Sequence, residues 1–242
     1  MSTLSRIIVI SIISLLMLSC NFSMNLGKGI DGNGEVISVD RTISKDFNEI
    51  KVSQGLDLYI TQSNEVSLSI EADANLHDII MTEVENGILR IYATENIRRA
   101  SSKKIMLSFE TISSIKATSG SDVYSTNTIE VADLELKCTS GADIKLDVKT
   151  ETISCSSTSG SDIKLIGSTK YFNAAATSGS DINAAELQSE TAEVNATSGA
   201  DVSINTSKSL TAKATSGGDI RYSGNPEKIN KSDNSSGNVR QQ

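Results

Sequence analysis

The sequence predicts an all-β fold: a right-handed single-stranded parallel β-helix, a solenoid of about 18–21 residues per coil, closed by a less regular β-rich N-terminal cap with a short helix. Three observations predict it. A Thr-Ser-Gly-x-Asp-(Ile/Val) hexapeptide recurs six times, at spacings of 21, 19, 19, 20 and 18 residues. Between copies the apolar residues alternate, as in Leu134, Leu136, Cys138 and then Ile144, Leu146, Val148, which is the period-2 mark of a half-buried strand. A unit this short cannot bury its own apolar edge, so neighbouring units must stack. The hand follows from the strong right-handed bias of parallel crossovers.

The first residues read as an export signal. Arg6 precedes an apolar run from Ile7 to Leu18 that meets Ser19 and Cys20. The run is too short for a bilayer core, which needs about 20 helical residues. Met17-Leu18-Ser19-Cys20 resembles a lipobox, with Met17 where leucine is usual, and marks Cys20 as the acylated residue. Residues 1–19 are thus a lipoprotein signal peptide and 20–31 a tether, which places the domain at the outer membrane, on its periplasmic or cell-surface side.

Residues 32–110 form the N-terminal cap and first coils of a domain that runs on to 239. Ile50, Val52 and Leu56, Leu58, Ile60 alternate as strands around a degenerate repeat, Ser53-Gln54-Gly55-Leu56-Asp57-Leu58. Asp73 to Val84 reads as a short helix with Leu76, Ile79, Ile80 and Val84 on one side. Asn86-Gly87 then signals a hairpin before Leu89 and Ile91.

Residues 111–239 are the repeat β-helix and 240–242 a tail. Each coil needs a sharp corner, and glycine reaches φ > 0 without steric cost. The corner glycines are Gly55, Gly120, Gly141, Gly160, Gly179, Gly199, Gly217 and, in the degenerate last copy, Gly237. Serine and aspartate beside them can bond local backbone groups. After Ser223 the chain turns polar around its single proline, Pro226, and ends as a partly ordered last coil.

The opening Gly32-Asn33-Gly34, the run Phe47-x-x-Ile50-x-Val52-x-x-Gly55-x-Asp57-Leu58, the run Glu71-Ala72-Asp73-x-Asn75-Leu76 and the serial Ser-Gly-x-Asp turns resemble the head GIN domain family of auto-transporter adhesins. This family is common in Bacteroidetes lipoproteins. The resemblance covers about 32–239 and implies a solenoid similar to pectin-lyase-type folds and a role in cell-surface adhesion.

A net charge of −8, which becomes −9 once Arg6 leaves with the signal, and the absence of a basic patch argue against a nucleic-acid partner. With no tryptophan and few Tyr or Phe, stacked aromatic platforms for sugars have little to draw on. Cys138 and Cys155 fall in adjacent coils at unequal distances from their turns, about 8 Å apart, beyond the roughly 7 Å limit for a bridge. Both are expected free and inward-facing.

Asp122, Asp143, Asp162, Asp181, Asp201 and Asp219 should form a column, one per rung. Neighbouring like charges there repel by about 1 kcal/mol in water. Each is expected to cap its own turn; weak Ca²⁺ binding by stacked carboxylates is the sharper alternative, and no other cofactor is expected. Near-identical carboxylates lack the unlike environments that acid–base catalysis requires. His77, the only histidine, reads as an exposed helix residue with no nucleophile at a recognisable spacing. The serines Ser119, Ser140, Ser159, Ser178, Ser198 and Ser216 read as a structural hydroxyl ladder. The sequence thus points to a non-enzymatic, membrane-tethered module presenting a β-helix face to a glycan or protein. A polysaccharide lyase or glycosidase on the same scaffold is the alternative.

Overall fold

A computed structural model describes residues 29–233 and 236–242. The export signal and Cys20 lie outside the described residues. The cap strands are β1 (Ile30–Asp31), β2 (Val36–Arg41), β3 (Glu49–Val52), β4 (Asp57–Gln62), β5 (Ser67–Asp73), β6 (Ile80–Glu85), β7 (Ile88–Ala93), β8 (Ile97–Arg99) and β9 (Lys103–Phe109). The coils follow as β10 (Ser114–Thr118), β11 (Asp122–Ser125), β12 (Ile129–Thr139), β13 (Asp143–Thr158), β14 (Asp162–Thr177), β15 (Asp181–Thr197), β16 (Asp201–Thr215), β17 (Asp219–Ser223), β18 (Lys228–Asp233) and β19 (Asn238–Gln241).

Every coil has two straight sides. The side leading into the Thr-Ser-Gly corner pairs in parallel with its counterparts, in the order β7, β3, β10, β12, β13, β14, β15, β16, β18. The side trailing the corner does likewise, in the order β9, β4, β11, β13, β14, β15, β16, β17, β19. These are called the leading and trailing faces. Side chains of both that point inward form one continuous core of stacked rows, for example Leu58, Val123, Ile144, Ile163, Ile182, Val202, Ile220 and Val239. Cys138 and Cys155 are buried and unbridged in it, and burial pushes the Cys138 thiol up to about 12.

The corners explain the repeat. Gly55, Gly120, Gly141, Gly160, Gly179, Gly199 and Gly217 all have φ between 67° and 80°. The serine before each glycine is also left-handed, from Ser119 at 58° to Ser216 at 53°, and so is Gln54. A left-handed non-glycine residue costs about 1–2 kcal/mol. What holds it is a backbone ladder: the N–H of Gly120 donates to the Ser140 carbonyl, Gly141 to Ser159, Gly160 to Ser178, and so on through Gly217 to Ser236. The hydroxyls of Ser119, Ser140, Ser159 and Ser178 bond within their own coil, to the adjacent Thr, as in Thr139 and Ser140 at 3.3 Å. The expected hydroxyl ladder is therefore a carbonyl ladder.

Capping falls to the residue after the glycine. Ser121, Ser161 and Ser180 are fully buried, and Ser161 Oγ donates to the carbonyls of Thr158 at 2.8 Å and Cys138 at 2.9 Å while accepting the Thr158 N–H at 3.1 Å. Only small residues fit here, Ser121, Ala142, Ser161, Ser180, Ala200 and Gly218. At Gly218 the coils lie closer still, and a Cβ would overlap the Ala196 carbonyl. Gly218→Ala, although it restores the residue type of neighbouring coils, is expected to lower stability by about 2 kcal/mol in urea titration followed by circular dichroism. Gly237 proves to occupy this same inward position, against the Ala214 carbonyl, and lacks the positive φ of the other corner glycines. The last copy is one residue short, since Asn238 pairs with Asp219.

The cap differs from expectation between Asp73 and Val84. Only Ala74–Leu76 is helical, as a single 3-10 turn, and Ile80–Glu85 is a strand. Leu76, Ile79 and Ile80 are buried because the chain crosses the open end of the core here, not because a helix packs one face on it. The Asn86-Gly87 hairpin forms as expected, joining antiparallel β6 and β7 with Glu85 opposite Ile88. His77 is buried, with Nε2 at 3.3 Å from the carbonyls of Ile37 and Ala72. Arg41 lies over the same pole and donates to the His77 carbonyl at 2.7 Å.

The family-like motifs of the cap interlock. Asp73 is buried and accepts the N–H groups of Gly34 at 2.9 Å, Ser101 at 2.9 Å and Ser102 at 3.0 Å. Asn75 accepts the Asn33 N–H and donates to the Asp31 carbonyl, both at 2.9 Å. Gly32 must lack a side chain because a Cβ would overlap the Asp73 carboxylate. Gly32-Asn33-Gly34 and Asp73-x-Asn75 are thus two halves of one knot.

Candidate functional site

On the trailing face the six aspartates do form one column, extended by Asp57 ahead of Asp122 and closed by Asn238 after Asp219. Beside it runs a second outward column, Tyr59, Tyr124, Lys145, Lys164, Asn183, Ser203, Arg221 and Arg240. The second column answers the first. Lys145 Nζ lies 3.3 Å from Asp143, Arg221 lies 3.6 Å from Asp201, and the Tyr124 hydroxyl donates to Asp122 at 3.3 Å. Tyr59 and Tyr124 stack on each other at 5.1 Å, with Lys145 over the Tyr124 ring. Among the described residues no three acidic, Cys or His side chains converge where they could hold a metal ion.

The mutual repulsion of the column is visible at its centre. Asp162 is raised above the ordinary carboxylate range by partial burial and then by Asp143 and Asp181. A raised folded-state pKa favours the protonated form. That stabilisation is complete below the unfolded pKa and is lost as pH rises through the folded one. Asp162→Asn is therefore expected to raise stability at pH 7 by about 0.5 kcal/mol, since screening limits exposed charges, and to have no effect at pH 3, as read from urea midpoints.

The leading face is different in kind. Its two outward columns run Glu49, Ser114, Glu135, Ser154, Asn173, Glu193, Thr211 and Lys51, Lys116, Lys137, Ser156, Ala175, Asn195, Lys213. Glu135 and Lys137 on one side and Glu193 and Asn195 on the other flank a stretch of smaller residues. The result is a trough of about 410 Å³ with a floor of Ser154, Ser156, Asn173 and Ala175 between rims of Glu135, Lys137, Glu193 and Asn195. Glu135 is paired with Lys137 at 2.6 Å, and this contact, with Ser114 adding to it, holds its carboxyl low and ionised.

On the same face, outside the residues that line the trough, stands Tyr171, 55% exposed and two residues before Asn173 on the outward side of β14. Its counterparts in neighbouring coils are Thr152 and Thr191. The repeat alignment could have singled it out: one aromatic between two threonines. Hydroxyls, two amides, two carboxylates and an exposed ring nearby suit hydrogen bonding with stacking. Acid–base cleavage is poorly served, because Glu135 and Glu193 stand three rungs apart, about 14 Å, whereas glycosidase pairs lie about 5–9.5 Å apart.

Comparison with known proteins places this architecture. The solenoid overlays a structure from Bacteroides fragilis described as "a putative adhesin", with a TM-score of 0.81 at 20% identity over 88% of this chain and all of the other. A Parabacteroides distasonis protein described as a "putative lipid binding protein" gives 0.72 at 25% identity over 89% of this chain and all of the other. A third, "a putative adhesin" from Parabacteroides merdae, gives 0.67 at 19% over 89% of this chain and all of the other. No curated protein matches. The family model "Putative auto-transporter adhesin, head GIN domain" matches residues 46–226. Since that match spans most of the chain, from the cap strands through the last full corner, the protein belongs to the head GIN domain family.

Proposed function

We propose that the protein is a non-enzymatic adhesin-like module of the cell envelope that binds a glycan along the trough of the leading face. The trough, with Tyr171 exposed on the same face, carries this reading. It offers a flat run of small polar side chains between polar and charged rims, with one accessible ring on the same face, a combination matched to the hydroxyls and apolar ring faces of sugars. The adhesin names of the family and of two of the solved structures agree with it. Cys20, acylated after removal of 1–19, would tether the domain to the outer membrane, and any Ca²⁺ on the aspartate column would be weakly held.

The test is an array of bacterial and host polysaccharides probed with the labelled chain. Retention by one glycan class, displaced by the free glycan and lost in Tyr171→Ala, is the expected result. Binding to no glycan, or glycan binding indifferent to Tyr171, contradicts it. Shortening of the recovered glycan would instead favour the lyase or glycosidase reading.

A further inference from the structure

Both poles of the solenoid end in open β-edges. At the N-terminal pole β2 pairs with β5 and β6 pairs with β7; at the C-terminal pole β18 pairs with β16 and β19 with β17. Among the described residues no strand pairs with the outer edges of these four strands, and such edges are templates for strand addition. Two inward-facing apolar residues are incompletely covered, Ile37 on β2 at 39% exposed and Ile229 on β18 at 47%, while their row neighbours Ala72 and Leu210 are buried, as is Val239 on β19.

The two poles match each other. β2 is antiparallel to β5 and β5 to β9, so two reversals leave β2 parallel to β9 and to every trailing strand through β19. Following the registers along the trailing face puts Val39 on the inward row that ends at Val239. Ser38 falls on the aspartate column that ends at Asn238, and Asp40 on the outward column that ends at Arg240. On this face the exposed end charges are complementary as well, with Asp40 at one pole and Arg240 at the other.

We propose that copies of this chain dock head to tail, β19 of one adding in parallel to β2 of the next, so that the solenoid continues from molecule to molecule. Val239 then meets Val39 in the core row, Asn238 meets Ser38, and Arg240 pairs with Asp40. The contact is heterologous and leaves a free pole at each end, so it builds open assemblies instead of closed dimers. It is independent of the glycan reading, because the trough lies on the leading face, away from both poles.

The chain is tested with Asp40→Cys and Arg240→Cys together in a Cys20→Ser background, where the remaining cysteines, Cys138 and Cys155, are buried, under mild oxidation. In-register neighbours on parallel strands lie about 4.8 Å apart, within the range a disulfide spans. A ladder of dimers, trimers and longer species is expected, reversed by reductant, where each single variant yields dimers at most. A double variant no more cross-linked than the single ones overturns the proposal. As a second measurement, Asp40→Arg and Arg240→Asp are each expected to weaken association in sedimentation by at least about tenfold. Mixing the two restores it, because the reversed ends complement each other. Association unchanged by either reversal, or a mixture that stays dissociated, also overturns it.

Discussion

Gly167→Ala is expected to destabilise the fold by about 4 kcal/mol, at the upper end for single substitutions. Gly167 sits at the second corner of its coil, opposite Val148, with φ at 110°. A Cβ there would overlap the Val148 carbonyl, a backbone atom held by the ladder on both sides. The replacement cannot be absorbed by a rotamer change. Gly160, at φ 67°, has nothing within 4 Å of the same added atom, so Gly160→Ala should cost only the left-handed penalty of about 1–2 kcal/mol. Urea titration of both variants, followed by circular dichroism, checks the difference. Equal costs would mean that conformation alone, not the approach of neighbouring coils, dictates glycine at position 167.

Asp73→Asn is expected to cost about 3 kcal/mol at neutral pH, because an amide cannot accept from all three N–H donors and leaves one of them buried and opposed. Burial by itself pushes the Asp73 carboxyl up, but the N–H groups of Ser102, Gly34 and Ser101 outweigh it and hold it below the ordinary value. A lowered folded-state pKa contributes stability that is present above the unfolded value of about 3.9 and lost as pH falls through the folded one. The difference between wild type and Asp73→Asn should accordingly be full at pH 7 and shrink as pH falls below about 4. A difference independent of pH would show that the ionised carboxylate is not what closes the knot. Gly32→Ala, which drives a methyl into the carboxylate, should reproduce the loss at pH 7.

These two sites mark where sequence reasoning succeeds and where it stops. The coils are legible because a side-chain period of 2 and a fixed corner leave one register that buries Ile144, Ile163, Ile182 and Val202 together. Variation in spacing is taken up away from the Thr-Ser-Gly corner, as register shifts between Lys164 and Ile166 and between Ala184 and Gln188. The cap is less legible because its determinants are far apart in the chain. Asp73 binds Gly34, 39 residues earlier, and Ser101, 28 later, and no local pattern announces either bond. Leu76, Ile79 and Ile80 mimic a helical stripe only because the segment runs across the end of the core, which also buries His77.

The candidate site follows the same division. The aspartate column could be read directly from the repeat, but its partners Lys145 and Arg221 emerge only once the second outward column is aligned with it. The trough was invisible because small residues such as Ser154, Ser156 and Ala175 attract no notice until the rungs place them between Glu135 and Glu193. A low aromatic count carries no information about Tyr171, whose significance lies in its position.

The most direct test of this account is to fill the trough and compare with an equal change on the other face. Ser156→Arg and Asn173→Arg place bulk on the leading face, while Asn183→Arg places it on the trailing face; all three positions are exposed. Binding to the glycan class retained on the array, measured by calorimetry, should be lost in the first two variants and stay within about twofold in the third, since only direct contacts carry appreciable binding energy. Loss in Asn183→Arg with binding intact in the trough variants would place recognition on the aspartate face and contradict the account.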